Sequence, residues 1–291
     1  MKKNDNVFII ENESLLLPYL LLNVKNKSKN NIKSQLTRGN VLVDGKAITK
    51  HDYRLQKGQR VMVKWSQIHD KEYKEPLDII YEDDDIIVVN KPAGLLSIST
   101  NNEKDKTAYH IVMNYLKRHN FKNRIFVVHR LDRETSGLLL LAKKEKIKFL
   151  LQDNWDDLVG IRGYTVIVEG NINSNEGTIK SWLKETSTLL VYSSNKENDG
   201  KEAITHYKKL KSNSKYSLLE VKLDTGRKNQ IRVHMKDIKH SVIGDKKYGA
   251  KTDPLKRLGL HANILEFKHP ITNKVMHFEI PLPDSFDKIF K

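Results

Sequence analysis

The 291-residue chain contains no cysteine. This absence excludes disulfide bonds, zinc sites with thiolate ligands and cysteine nucleophiles. The chain also lacks a long apolar run: LLLPYLLLNV, residues 15–24, is too short to span a bilayer and contains Pro18. The first residues, MKKNDNVFIIENE, have no continuous apolar stretch and do not indicate a signal peptide. We therefore expect a cytoplasmic protein with no membrane partner.

Acidic residues are too few to balance the basic ones. Lysine and arginine number 52 against 36 aspartate and glutamate residues, which gives a formal net charge of +16. Such an excess favours a polyanionic partner, because each phosphate that is neutralised releases counterions. A generally basic proteome would produce the same excess, so charge alone does not decide between these explanations.

The order of patterns along the chain predicts two domains. Residues 1–65 read as a small basic α/β module, in which Ile32 and Leu36 share a helix face and Asp44-Gly45 indicates a hairpin. The polar segment SQIHDKEYKEP, residues 66–76, reads as a linker. Residues 77–291 combine strand signals with helical stretches near 106–118 and 144–154. The strand signals are DIIVVNK, YTVIVEG, TLLVYS, SLLEVKL and ILEFKH. This mixture predicts an α+β domain around a mixed or antiparallel central sheet.

The run HRLDRETSGLLLLAK, residues 129–143, carries the chemistry of the chain. It places Asp132 among cations, directly before an apolar core strand. Such a position suits a carboxylate that must stay ionised and attack or assist. Taken alone the run does not settle the matter, since most aspartates after a hydrophobic segment form turns.

Further motifs follow in a fixed order. They are IIYEDDDIIVVNKPAGLLS at 79–97, RGYTVIVEG at 162–170, and LDTGRKNQIRVHM at 223–235 followed by VIGDKKYG at 242–249. With the run at 129–143 they cover nearly the whole chain. On these residues the chain resembles the RluA/RluD family of RNA pseudouridine synthases, in which H-R-L-D-x-x-T-S-G carries the catalytic aspartate.

The resemblance implies a set of catalytic and binding residues. Asp132 would be the catalytic aspartate, and Arg227 would pair with it and keep it ionised. Tyr164 would stack on the target base and is a candidate for moving the proton from carbon-5. Arg130 would occupy the space that the flipped nucleotide leaves, and Ile231 would pack beneath Tyr164 and the base.

Three more residues are expected at the substrate. His129 precedes Arg130, Gln230 belongs to the last motif, and Lys91 would face the active-site cleft, although a solvated lysine beside a structural turn explains it equally well. One departure from the family pattern is clear: Lys228-Asn229 stands where the family usually has Thr-His.

The amino-terminal module resembles the S-four-like RNA-binding domain. Its cations are concentrated on the helical part, and the resemblance implies RNA binding through Lys27, Lys29, Lys33 and Arg38. Solvated lysines on a helix face are the ordinary alternative.

These observations predict an enzyme that converts uridine to pseudouridine in RNA. Large-subunit ribosomal RNA is the expected substrate, tRNA is an alternative, and a monomer is expected. The isomerisation needs no cofactor, and the histidines at 261, 269 and 277 lack the spacing of metal ligands. Two rivals stay open: a catalytically silent RNA-binding ribosome assembly factor, and a nucleoside or glycoside hydrolase, which would need a second acid near Asp132 such as Glu134.

Overall fold

The computed structural model describes residues 5–37, 39–65, 77–100, 103, 106–120 and 122–290. The chain divides into two compact units, residues 1–75 and 76–291, and the division falls within the predicted linker. The linker segment 66–76 and Arg38 lie outside the described residues. In the described part, no helix is long and apolar enough to cross a membrane.

The first unit combines two short helices with a small sheet. Its elements are β1 Asn6–Ile9, β2 Ser14–Leu15, α1 Leu16–Asn23, α2 Lys29–Thr37, β3 Val41–Val43, β4 Lys46–Ala47, β5 Arg54–Leu55 and β6 Arg60–Val63. The main sheet has the order β1-β6-β3-β4, and β2 pairs with β5. Ile32 and Leu36 are buried on the inner face of α2, as their spacing predicts. Asp44 and Gly45 both have positive φ and form the turn of the β3–β4 hairpin.

The second unit is built on one large sheet. Its strands are β7 Asp78–Glu82, β8 Ile86–Lys91, β9 Phe126–Val127, β10 Ser136–Ala142, β11 Val159–Glu169, β12 Glu176–Glu185, β13 Val191–Ser194, β14 Lys201–Ser212, β15 Tyr216–Leu223, β16 Leu260–Lys268 and β17 Val275–Glu279. Its helices are α3 Ala108–His119, α4 Glu145–Asp153, α5 Trp155–Leu158, α6 Gln230–Asp237 and α7 Asp284–Asp287, with 3-10 turns at Lys246–Tyr248 and Lys288–Phe290.

The eleven strands form a mixed sheet. The order is β13-β12-β14-β15-β11-β16-β10-β8-β7, with β17 on β16 and β9 on β10. Among the pairings between described strands, β10 with β16 is parallel and the others are antiparallel. The predicted α+β class with a mixed sheet is therefore confirmed.

The parallel pair β10–β16 sets the position of the loop that carries Asp132. β10 is buried at every residue and lies between β8 and β16. Gly137 pairs with Ala262 at φ +122°, and a Cβ there would lie 2.1 Å from the Ala262 carbonyl oxygen. Only glycine permits this approach. The loop before β10 is consequently delivered to the middle of the sheet, next to β16 and β11.

Two hydrophobic cores meet near Tyr164 on β11. One core contains residues of α3, β8 and β10, and the other contains residues of β11, β15 and α6, including Ile231. Tyr164 packs against both. The tyrosine therefore stands where the Asp132 loop and α6 approach each other.

Candidate active site

A cavity of about 460 Å³ opens where the Asp132 loop, β11 and α6 converge. Of the eight site residues that the sequence predicts in this unit, seven line it: His129, Arg130, Asp132, Tyr164, Arg227, Gln230 and Ile231. The eighth, Lys91, does not. The volume falls within the ordinary range for pockets that bind small molecules.

Asp132 presents a partly exposed carboxylate to this cavity. Its side chain is 32% exposed, and its Oδ2 lies 3.5 Å from Nη1 of Arg232. The backbone turns at this residue, because the Thr135 N–H donates to the Asp132 carbonyl at 3.2 Å. The carboxylate has a cation on one side and open space on the other, an arrangement that suits attack on a carbon or removal of a proton.

The expected pairing of Arg227 with Asp132 is wrong, because Arg232 occupies that position. Arg227 is exposed, and its Nε donates to the Glu202 carbonyl oxygen at 2.9 Å. It precedes α6, whereas Arg232 lies in the first turn of that helix. The two arginines are five residues apart in one motif, and the start of the helix decides which of them reaches the carboxylate.

Arg232 is held rigidly. Its Nε and Nη2 each donate to one oxygen of Asp245 at 2.7 Å, the bidentate geometry that fits a guanidinium to a carboxylate. Burial lowers the pKa of Arg232 and the hydrogen bonds to Asp245 raise it, with a net upward direction, so the side chain stays charged. The Arg232 carbon Cζ also lies 4.9 Å from the ring centroid of Tyr248.

Tyr164 is a neutral phenol in this site. Burial raises its pKa to about 12, with a smaller upward contribution from Asp132 and an opposing one from Arg162. The ring is half-buried against the same core cluster that contains Ile231, and both residues line the cavity. They form an apolar wall and floor on which a planar base can stack.

The sequence profile of the RNA pseudouridylate synthase family matches residues 85–237, a segment that contains Asp132, Tyr164 and Arg232. The chain belongs to this family. It is an RNA pseudouridine synthase, an isomerase, of the RluA/RluD type that its motifs predict.

Curated relatives resemble the synthase over most of its length. An uncharacterized RNA pseudouridine synthase of Mycoplasma pneumoniae is 36% identical over 94% of this chain and 91% of its own. The Bacillus subtilis protein YlyB, also described as an uncharacterized RNA pseudouridine synthase, is 35% identical over 91% of this chain and 89% of its own. Ribosomal large subunit pseudouridine synthase D of Vibrio cholerae is 32% identical, with coverage of 88% and 84%.

Solved structures share the fold. The human RNA pseudouridylate synthase domain containing 4 aligns with a TM-score of 0.59 at 23% identity, over 72% of this chain and 90% of its own. The human RNA pseudouridylate synthase domain containing 1 aligns with a TM-score of 0.58 at 24% identity, over 73% of this chain and 86% of its own.

Lys91 of the synthase does not face the cleft as the sequence predicts. It is fully buried, and its Nζ donates to the carbonyl oxygens of Pro92, Leu95 and Arg133 at 3.1, 2.7 and 3.1 Å. Burial lowers its pKa to about 7, against the upward influence of Asp132 and Glu134. The ammonium, which does not line the cavity, therefore links the turn after β8 to the loop that carries Asp132.

His129 and Gln230 line the cavity, and hydrogen bonds within the protein occupy one ring nitrogen of the histidine and the amide of the glutamine. The His129 Nε2 accepts from the Leu140 N–H at 3.0 Å, and burial lowers the pKa of this histidine to about 4. The ring is therefore neutral, with its proton on Nδ1. Gln230 accepts from Thr225 Oγ1 and the Arg227 N–H, and it donates to the Ile204 carbonyl and to Thr205 Oγ1. Its amide organises the segment before α6 and offers nothing to a substrate.

The cavity contains residues that the sequence did not single out. Arg162 and Trp155 both line it, and the Trp155 ring lies 5.2 Å from that of His129. Arg162 Nη2 donates to the carbonyls of Leu223 and Asp224, and a Cβ on Gly226 would lie 2.7 Å from its Nη1. The glycine of T-G-R thus makes room for a cation on another strand, a relation that no local pattern could reveal.

Of the predicted RNA-binding lysines of the first unit, Lys27 and Lys29 are exposed and Lys33 is half-buried. Lys29 and Lys33 lie on α2. Lys27 Nζ lies 4.9 Å from the Trp65 ring centroid. Among the residues that the structure describes in both units, no group of three histidine, aspartate or glutamate side chains is arranged to hold a metal ion.

Proposed function

We propose that the synthase isomerises specific uridines of large-subunit ribosomal RNA, with Asp132 as its catalytic carboxylate. The single observation that carries the catalytic assignment is the contact of Asp132 with Arg232 at the mouth of a cavity walled by Tyr164 and Ile231. The substrate rests on the relatives named ribosomal large subunit pseudouridine synthase D in Vibrio cholerae and Salmonella typhimurium, which are 32% and 31% identical.

The reaction breaks the bond from ribose C1′ to uracil N1, turns the base, and forms a bond from C1′ to C5. The proton on C5 moves to the N1 that is set free, so atoms and electrons balance without a redox partner. Asp132 either attacks C1′ or removes a sugar proton, and both routes require the ionised form. Arg232 places a positive charge 3.5 Å from that carboxylate.

The detached uracil has to stay trapped between the two bond changes. Tyr164 offers a π face to the base, and Ile231 closes the floor beside it. Because burial raises the pKa of Tyr164 to about 12, the side chain is a neutral phenol that can stack on the uracil and donate a hydrogen bond to it. To take up the C5 proton, the phenol would first have to give its own proton to the N1 that is set free, so that the transfer balances within the site.

Arg130 is suited to hold the RNA open. It is exposed at the rim of the cavity and makes no hydrogen bond or ion pair within the part of the chain that the structure describes. Extrusion of a nucleotide costs a few kcal/mol, and a planar guanidinium can stack and hydrogen-bond in the space left behind. With Arg162, Arg227, Lys228 and Arg232, it surrounds the cavity with positive charge that attracts phosphates.

The first unit would add RNA affinity as an S-four-like domain. Two helices followed by the β3–β4 hairpin, with Lys27 and Lys29 exposed, support this assignment. Its contribution would be electrostatic and would decrease as the salt concentration rises.

The substrate and the activity are tested together by mapping pseudouridines. Total RNA from cells with and without the gene is labelled with carbodiimide and read by primer extension. Cells lacking the gene are complemented with wild type or Asp132→Asn. We expect specific sites in large-subunit ribosomal RNA to disappear and to return only with wild type. Loss of sites in tRNA instead would show that tRNA, not ribosomal RNA, is the substrate. If no site changes and no tritium is released from [5-³H]uridine-labelled RNA in vitro, the proposed activity is refuted and an RNA-binding assembly factor is favoured.

A matched pair of variants separates the synthase from a hydrolase. Glu134 is the other carboxylate of the same motif, it is exposed, and it does not line the cavity. Glu134→Gln should keep nearly full activity, while Asp132→Asn should abolish turnover and bind RNA within about threefold of wild type, because it changes a reacting group. Release of free uracil by the wild type, or loss of activity in Glu134→Gln, would favour hydrolysis by a pair of acids.

A further inference from the structure

Asn229 stands at the position where this chain departs from the pattern of its family. It is the residue before α6 and has a left-handed backbone, with φ +55°. Asparagine at a helix start usually accepts a hydrogen bond from the first turn, but the side chain of Asn229 makes no such capping bond. It is nevertheless buried, with 8% of its surface exposed. A buried amide that does not cap its helix needs other partners.

Both ends of this amide are engaged. Its Nδ2 donates to the Tyr248 hydroxyl at 2.9 Å, and its Oδ1 accepts from Arg232 Nη1 at 3.0 Å. Arginine has no acceptor, so only the oxygen of the amide can face Arg232. Tyr248 is itself 1% exposed, and its hydroxyl also accepts from the Val191 N–H at 3.3 Å. The orientation of Asn229 is therefore fixed from both sides.

The bond to Nη1 completes the immobilisation of Arg232. Asp245 takes Nε and Nη2, which leaves Nη1 as the free terminal group of the guanidinium. Nη1 carries two hydrogens. Asn229 accepts one of them, and the other is available to Asp132 Oδ2 at 3.5 Å. Loss of the acceptor would leave Nη1 held from one side only, at the atom nearest the catalytic carboxylate.

We infer that Asn229 is a positioning residue for the isomerisation, which acts through Arg232 to orient the charge that supports Asp132. This inference rests on the proposed roles of Asp132 and Arg232. The simpler alternative is that asparagine is present only because it tolerates a left-handed backbone at the start of α6. Asn229→Gly separates the two explanations, because glycine adopts that backbone without strain but has no amide.

The experiment measures single-turnover tritium release from [5-³H]uridine-labelled total RNA of cells that lack the gene, with Asn229→Gly and Asn229→Asp. Asn273→Gly is the matched control. Asn273 also has a left-handed backbone, with φ +56°, and it is exposed in the turn between β16 and β17. Its side chain makes no hydrogen bond with the described residues.

We expect Asn229→Gly to lower the single-turnover rate about 10- to 100-fold, with RNA affinity within about threefold, because misplacement of a supporting group affects the transition state. Asn273→Gly should match wild type. In Asn229→Asp a carboxylate oxygen can still accept from Nη1, so this variant should keep a single-turnover rate about fivefold above that of Asn229→Gly. A helix-start role predicts the opposite order, since glycine adopts the left-handed backbone with the least strain.

A double variant tests whether the effect passes through Arg232. In an Arg232→Lys background, Asn229→Gly should lower the single-turnover rate by less than a further factor of two, because the guanidinium that Asn229 orients is already lost. An equal further loss in that background would overturn the inference, as would an Asn229→Gly rate within twofold of wild type. If Asn229→Gly does not fold, Asn229→Ser is compared in the wild-type and Arg232→Lys backgrounds by the same criterion. Full activity of Asp132→Asn would instead refute the proposed function, so the two failures are distinguishable.

Discussion

The Nζ of Lys91 supplies all three of its hydrogens to carbonyl oxygens, and one of these belongs to Arg133, beside Asp132. We predict that Lys91→Met, which keeps the length of the side chain, lowers the free energy of unfolding by about 2–4 kcal/mol. The methionine leaves three carbonyls without donors, and removal of a desolvated charge offsets only part of that cost. Urea denaturation measures the change, with Lys268→Met at an exposed position as control. Equal stabilities of the two variants would contradict a bracing role.

At the residue scale, the sequence predicted which residues meet but not all of their contacts. Motif order brought Asp132, Tyr164 and Ile231 to one cavity. Motif order could not decide whether Arg227 or Arg232 contacts Asp132, since that depends on where α6 begins. It also did not predict that Lys91 points into the protein. The inward orientation of Lys91 depends on a carbonyl that lies 42 residues away in the chain. Side-chain direction is a tertiary property, which a local motif does not contain.

At the scale of elements, β10 depends on its single glycine, Gly137. We predict that Gly137→Ala prevents folding of the second unit or destabilises it by more than about 4 kcal/mol, because a Cβ would lie 2.1 Å from the Ala262 carbonyl oxygen in a backbone with φ +122°. Circular dichroism and thermal unfolding measure the effect. Gly58→Ala, at φ +86° with nothing within 4 Å of its Cβ, is the control for backbone strain alone. A similar small loss in both variants would show that β10 and β16 can separate locally.

Strands with continuous apolar runs were predicted from the sequence, whereas strands with an exposed face were missed. β8 and β10 are buried almost throughout and stand out as apolar runs. β12 and β14 are rich in lysine, and in β14 only Ala203 and Thr205 are buried. β13 begins at Val191, later than its TLLVYS pattern predicts, because Leu189 adopts a left-handed turn conformation at φ +62°. Hairpin geometry overrode the local strand propensity there.

At the scale of the whole molecule, three neutral histidines link stability to pH. His129, His234 and His261 each have a pKa of about 4, in every case chiefly because burial disfavours the charged ring. Hydrogen bonds fix them: His234 contacts Ser181 and Thr205 hydroxyls at 2.9 and 2.8 Å, and His261 contacts the Ser136 hydroxyl at 2.7 Å. Protonation of these rings would disturb β10, β12, β14 and β16 together.

The sign of the resulting pH dependence follows from linkage. Between about pH 6.5 and pH 4 the unfolded chain binds protons on these histidines and the folded chain does not, so stability is full above this window and is lost as the pH falls through it. Each ring contributes up to about 1.4 kcal/mol per pH unit. Urea unfolding at a series of pH values, followed by Trp155 and Trp182 fluorescence in a Trp65→Phe background, measures the slope. His234→Gln should reduce proton uptake on unfolding by about one, and an unchanged slope would show that His234 is already charged in the folded synthase.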